Sequence, residues 1–384
     1  MAERRIAMVA GEPSGDLLAG LLLAGMRARL PAFHAYGIGG AHMQAQGFDA
    51  QWPMDKLAVH GYWDALKHYR EIKGIRDAFG DQLVATPPDI FIGTDAPDFN
   101  LGLELRLRTA GMRTVHFVSP SIWAWRGKRI ETIRAAADLV LCLFPFEPAI
   151  YERAGIPAAY VGHPLADVIP LEPDPAAARA RLGLTEAGPV VAVLPGSRHG
   201  ELARIGPTFI DAMQQIAARM PQVRFVVPMA TASLRAHFDR LMAERANAGA
   251  LPLTITDGDS HTVIESADTV LVASGTATLE CALYKKPMVI AYRVAWLSYQ
   301  IMRHMAYLPW IGLPNILLSD SAVPEFIQDR ATPQALAEAV LAQLHDDAGR
   351  ARLAQRFMRL HQTLRCGTGE RAAEAICALM EKPR

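Results

Sequence analysis

The chain has 384 residues, of which 51% are hydrophobic and 20% charged, and its formal net charge is zero. This length favours two domains of ordinary size, and the composition buries a sizeable core and excludes a disordered chain. A neutral balance lacks the basic excess of a nucleic-acid-binding protein, so no nucleic-acid partner is expected.

The first apolar run, "RIAMVAG", reads as a buried strand. It ends in "GEPSGD", Gly11 to Asp16, ahead of the apolar helical stretch "DLLAGLLLAGMRARL". Glycines and a serine at a strand-to-helix turn permit close backbone approach and leave helix N–H groups open to an anion. "GIGG" at Gly37–Gly40 partly matches a dinucleotide fingerprint, but it lacks the third glycine's spacing and does not follow the first strand. A dehydrogenase is therefore set aside. Between Leu57 and Ile75, Trp63, Leu66, Tyr69, Ile72 and Ile75 recur at mostly helical spacing, with basic residues beside them. This stretch is a candidate lipid-facing surface.

The strand "DIFIG" leads into "GTDAPDFN", Gly93 to Asn100, where Asp95 and Asp98 flank Pro97. Asp95 has two readings. It caps a helix whose first turn holds Pro97, or it presents a carboxylate for chemistry. Asp98 reads as a helix-start residue. The strands "TVHFVS", "LVLCLF" and "AAYVG" follow, and His163 lies just past the last of them. The alternation then breaks at "PLADVIPLEPDPAAARARLG", whose prolines mark a linker.

The second half repeats the pattern with "VVAVLPG", "RFVVPM", "LTIT", "TVLVAS" and "PMVIAY". After the first of these comes "GSRHGE", in which Gly196 and Ser197 are small donors and Arg198 is a fork suited to phosphate. After "TVLVA" comes "SGTATLE", where Ser274, Gly275 and Thr276 open a helix. Glu280 is expected about two turns into that helix, within reach of sugar hydroxyls. Two such turns point to a nucleotide diphosphate site. The triplet "DGD", Asp257 to Asp259, matches the acidic signature of metal-dependent sugar transferases, but Asp and Gly are also ordinary turn residues. With Arg198 and helix N-termini to neutralise a diphosphate, no metal and no cofactor is expected. His163 and His199 read as locally satisfied neutral rings, with a catalytic role as the alternative. Ala295 to Leu313, rich in aromatics and Met, is either core or a second lipid-facing segment. From about Pro333 the tail is helical only.

Strand–helix alternation with two-sided apolar strands implies parallel sheets covered on both faces. The expected class is α/β, with two doubly wound domains and a cleft at the carboxyl ends of their strands. The expected domains are residues 1–165 and 166–345, followed by helices over 346–384. The four cysteines share no metal or CxxC spacing and read as reduced. No apolar run reaches the roughly 18–20 residues that span a bilayer, and the first residues lack a signal-peptide pattern. A cytoplasmic protein is expected.

Taken together, "GEPSGD", "GTDAPDFN", "SPSIWAW", "VGHPLAD", "LPGSRHGE", "ASGTATLECAL" and "LPNILL" resemble the signature segments of the lipid-A-disaccharide synthase family, in order and spacing along nearly the whole chain. The resemblance implies a GT-B fold of two Rossmann-like domains, with C-terminal helices crossing back onto the first. It implies transfer of 2,3-diacylglucosamine from UDP-2,3-diacylglucosamine to 2,3-diacylglucosamine 1-phosphate, giving the β(1→6) tetraacyl disaccharide 1-phosphate and UDP. It places the general base at Asp95 and UDP-sugar handling at Arg198, Glu280 and Asn315, with Ser14 and Gly15 in the first glycine-rich turn. Peripheral association with the inner membrane would follow, with homodimerisation as an alternative assembly. The segment from Leu57 to Phe79 departs from the family pattern. The competing readings are another GT-B UDP-sugar enzyme, either an N-acetylglucosaminyltransferase or a UDP-sugar 2-epimerase, and a non-catalytic binding protein for lipid or nucleotide sugar.

Overall fold

A computed structural model describes residues 3–30, 32–54, 57, 62–184, 188–245, 248–305 and 307–383, without the side chains of 53, 62–69, 297–298, 301–302 and 304. The chain forms two compact units, Met1–Asp167 with Thr363–Arg384, and Val168–Gln362.

The first unit is built on a seven-stranded sheet. Its strands are β1 (Arg4–Ala10), β2 (Phe33–Gly39), β3 (Asp49–Pro53), β4 (Ile90–Thr94), β5 (Thr114–Phe117), β6 (Leu139–Cys142) and β7 (Ala158–Tyr160). Their spatial order is β3-β2-β1-β4-β5-β6-β7, and every pairing is parallel. Strands alternate their side chains between faces. Ile6, Met8 and Ala10 therefore enter one core, and Ala7 and Val9 the other. The first core is closed by helices Pro13–Arg29 and Thr368–Glu381. These two touch through glycine: a Cβ on Gly25 would meet the Gly369 carbonyl oxygen at 2.4 Å, and one on Gly369 would meet that of Leu21 at 2.4 Å. The second core includes Ile75, Phe79 and Leu83 from helix Tyr62–Ala85, with Ile72 packed against it. Positions 72, 75, 79 and 83 form a 3–4-spaced stripe that turns inward. Ile72 is partly buried and packs against that core. The side chains of Trp63, Leu66 and Tyr69 lie outside the described residues.

The second unit carries β8 (Val190–Leu194), β9 (Arg224–Met229), β10 (Leu253–Asp257), β11 (Thr269–Ala273), β12 (Met288–Tyr292) and β13 (Glu325–Ile327). Their order, β10-β9-β8-β11-β12-β13, is again all parallel. Both sheets therefore follow the doubly wound order, with the strand order reversing beside the first strand of each. Those switch points lie between β1 and β4, and between β8 and β11.

β2, β3 and β13 were not expected. "FHAYGIG" mixes glycine and histidine into its apolar pattern, "DAQWP" is a polar edge strand, and "EFI" has three residues. Among the described residues the tail beyond Pro333 is helical, and no helix is long and apolar enough to cross a membrane.

Candidate active site

The turns beginning at Gly11, Gly93, Gly196 and Ser274 each leave a strand that borders a switch point. In the first unit the turn after β1 runs into helix Pro13–Arg29, where Ser14 is exposed and Gly15 buried. A Cβ on Gly15 would stand 3.3 Å from the Thr94 carbonyl oxygen and 3.6 Å from the Asp95 Cβ. Ser14 and Gly15 are thereby brought beside the end of β4. Asp16 does not point to a ligand. Its carboxylate is buried and accepts from the backbone amides of Gly40 (2.8 Å), His42 (2.9 Å) and Met43 (3.2 Å).

Asp95 is not a helix cap. The capping position of helix Pro97–Thr109 is Ala96, with no side-chain cap. Asp95 and Ala96 both adopt left-handed backbone, at φ 54° and 42°. For non-glycine residues this costs about 1–3 kcal/mol each. The conformation is pinned on both sides: the Asp95 amide donates to the Phe117 carbonyl at 2.8 Å, and the Asn100 side-chain amide donates to the Asp95 carbonyl at 2.8 Å. Among the described residues no group pairs with the half-buried Asp95 carboxylate. Asp98, in the first helical turn, is exposed and paired with Arg129.

Beneath this turn lies a polar cluster that the sequence reading passed over. Glu104 and His116 are fully buried, with Oε1 and Nδ1 2.7 Å apart. Burial pushes the Glu104 pKa up, and the His116 ring opposes that shift. Thr94 Oγ1, Asn100 Oδ1, Glu104 Oε2 and His116 Nε2 are buried without a hydrogen-bond partner. The available signals were a histidine inside the apolar run "TVHFV" and the i,i+4 spacing of Asn100 and Glu104 on one helix.

In the second unit, Gly196 has φ 107°, and a Cβ there would meet the Glu201 side chain at 2.7 Å. Arg198 is the capping residue of helix His199–Arg219, and its side chain is 72% exposed. Glu201 closes back on the turn, accepting from the Ser197 amide at 3.1 Å and lying 3.5 Å from the guanidinium. His199 leaves the turn, its Nε2 2.9 Å from Ser233 Oγ and its ring stacked on His237. In the other turn Gly275 has φ 159° with open space at its Cβ position, and Thr276 leads helix Ala277–Leu283. The Ser274 amide is engaged by the Ala291 carbonyl at 3.1 Å. Glu280 sits in the first turn of that helix, not two turns in, because Ser274 to Thr276 form the approach to it. It lies 3.7 Å from His261, and burial raises its pKa against the pull of that ring.

Asn315 departs from its expected role. It is fully buried, donating to the Val323 carbonyl (2.9 Å) and Glu325 Oε1 (2.8 Å) and accepting from the Val323 amide (2.9 Å). With both N–H donors and one acceptor lone pair engaged, this amide holds the 315–325 segment together. His163 is a neutral ring stacked on Phe144, and burial pushes its pKa down to about 4. In the acidic triplet, Asp257 pairs with Arg235 at 3.4 Å and Asp259 caps helix Ser260–Ser266. Among the described residues no group of three or more His, Cys, Asp or Glu side chains could hold a metal ion. Cys142 and Cys281 are buried, Cys366 and Cys377 partly so, and all four are free thiols. In the second lipid candidate, Trp296 and Tyr307 are 71% and 62% exposed.

Two parallel doubly wound units with anion-type turns at their switch points define the GT-B class of glycosyltransferases and related nucleotide-sugar enzymes. A putative UDP-N-acetylglucosamine 2-epimerase from Listeria monocytogenes shares this fold at TM-score 0.63 and 12% identity, covering 98% of this chain and 96% of its own. An Anabaena protein solved with UDP and glucose matches at TM-score 0.58 and 15% identity, covering 99% and 100%. A family profile described as lipid-A-disaccharide synthetase matches residues 6–376. A lipid-A-disaccharide synthase of Paraburkholderia phymatum is 58% identical over 381 residues, 99% of this chain and 97% of its own length. The chain belongs to the lipid-A-disaccharide synthase family and is a glycosyltransferase of lipid A biosynthesis.

Proposed function

We propose that the chain transfers 2,3-diacylglucosamine from UDP-2,3-diacylglucosamine to the 6-hydroxyl of 2,3-diacylglucosamine 1-phosphate, with inversion at the anomeric carbon. The products are the β(1→6)-linked tetraacyl disaccharide 1-phosphate and UDP. The observation that carries the reading is Asp95: a carboxylate with no partner among the described residues, fixed in left-handed backbone at a switch point. Asp95 takes the proton of the attacking hydroxyl as the new bond forms. UDP departs with negative charge, which Arg198 and the amides of Gly196, Gly275 and Thr276 stabilise. Glu280 orients the donor through its hydroxyls. One displacement converts an α-linked donor into a β-linked product, so no covalent enzyme intermediate is required. Both substrates are amphiphiles, and the protein works peripherally at the cytoplasmic face of the inner membrane.

The test supplies UDP-2,3-diacylglucosamine with and without the acylated sugar 1-phosphate, and follows UDP release and product mass. The expected result is a tetraacyl disaccharide 1-phosphate formed only with the acceptor. An epimerised or hydrolysed donor formed without acceptor would replace this reading with that of an epimerase. Binding without turnover would replace it with that of a carrier.

A further inference from the structure

We infer that Asn100, braced by the buried Glu104–His116 pair, is the positioning residue that holds Asp95 ready for proton transfer; the inference rests on the reading of Asp95 as general base. Four observations converge. The Asn100 amide donates to the carbonyls of both Asp95 (2.8 Å) and Thr94 (3.3 Å), tying down the two peptides that aim the Asp95 side chain. Asp95 and Ala96 are consecutive non-glycine residues in left-handed backbone, a conformation that persists only where its surroundings over-determine it. Asn100 and Glu104 stand one turn apart on helix Pro97–Thr109 and both press on Gly93: a Cβ there would meet Glu104 Oε1 at 2.2 Å and Asn100 Cβ at 2.8 Å. Finally, Gly93 is in register with His116 on β5, which receives the Glu104 carboxylate at 2.7 Å.

Glu104 thus spans from the helix, across the bare backbone of β4, to β5. It fixes the helix against the sheet at the level where Asn100 must meet the Asp95 carbonyl. A core built only for stability would fill this space with apolar side chains, since buried polar atoms without partners are unfavourable. Here Thr94, Asn100, Glu104 and His116 each carry one such atom. All four lie on the elements that present Asp95.

A positioning residue acts through the group it positions, so its effect must vanish when that group is removed. Asn100→Leu removes the amide at similar volume. Its kcat should fall by up to about 100-fold, the scale of a misplacement near 1 Å. KM for both sugars and the binding of UDP should stay unchanged. In an Asp95→Asn background the same substitution should cost nothing further. Should Asn100→Leu not fold, Glu104→Gln carries the test. It keeps shape while weakening the brace, and should give a smaller kcat loss that also vanishes with Asp95→Asn. Losses that multiply in the double variants, or an Asn100→Leu enzyme with normal kcat, would overturn the inference. Near-normal turnover of Asp95→Asn alone would instead overturn the base assignment on which it rests.

Discussion

Glu147 and His163 set opposite pH dependences on the stability of the first unit, and replacing Glu147 should expose them. Glu147 is 1% exposed, accepts from the Trp123 indole at 3.0 Å and the Phe144 amide at 2.9 Å, and has its pKa pushed by burial from 4.5 up to about 7. Between those values the folded chain holds a proton that the unfolded chain has released, so stability falls as pH rises. His163, stacked on Phe144, is pushed by burial from 6.5 down to about 4. There the unfolded chain binds the extra proton, so stability is lost as pH falls. A full one-proton difference changes stability by about 1.4 kcal/mol per pH unit. Each group therefore accounts for about 3 kcal/mol at most across its window, and between pH 4.5 and 6.5 the two nearly cancel. Glu147→Gln keeps the shape and removes one side of the balance. Its stability relative to wild type should rise from pH 4.5 to 7 by up to about 3 kcal/mol. At about 2–4 °C per kcal/mol for a unit of this size, that is a relative Tm gain of roughly 6–12 °C. Thermal denaturation of both proteins at half-unit pH steps measures it. A flat difference would show that Glu147 is ionised in the folded protein and refute the reasoning.

Four further outcomes are expected. Asp95→Asn should lower turnover by about 10²–10⁴ while UDP affinity, measured by calorimetry, is little changed. Arg198→Ala should weaken UDP binding by roughly 10–100-fold, the loss of charge-assisted hydrogen bonds to phosphate, without altering the melting curve. Gly369→Ala should destabilise the first unit by about 1–3 kcal/mol, because a methyl group cannot enter the helix contact at Leu21, and urea unfolding checks this. Replacing Trp63, Leu66 and Tyr69 together with Ser should release the folded protein from membranes and raise KM for the lipid substrates, as read by sedimentation with vesicles. Each large apolar side chain contributes roughly 1.5–3 kcal/mol to such attachment.

Much of the fold was legible because parallel strands are buried on both faces and read as unbroken aliphatic runs, as in β1, β4, β6, β8 and β11. The strands that escaped break that rule: β3 and β13 lie at sheet edges, and β2 gives its last residues to glycine. The turns at the switch points were legible because glycine, serine and proline punctuate them. What could not be read was where buried polar groups find partners. Both N–H donors of Asn315 are engaged only because β13 brings Glu325 beside it, and Glu104 meets His116 only because β4 and β5 are neighbours in register. Such pairings depend on sheet order, which no local pattern contains.

The same sheet order sets different groups at the two switch points. In the first unit, the turns after β1 and β4 carry Glu12, Asp16, Asp95 and Asp98 and no cation. Asp16 is consumed by three backbone amides and Asp98 by Arg129, and Glu12 stands exposed at a helix start. Only Asp95 combines a free carboxylate with a backbone fixed from both sides. In the second unit the corresponding turns carry Arg198, the amides of Ser197 and Ser274 are held by Glu201 and the Ala291 carbonyl, and the carboxylates are engaged: Glu201 by Ser197 and Arg198, Glu280 by His261. A proton acceptor must keep its lone pairs available, whereas a leaving-group site must present donors and neutralise its own anions. Under the proposed reaction, one fold used twice would meet both needs by changing which groups at the switch point are tied down.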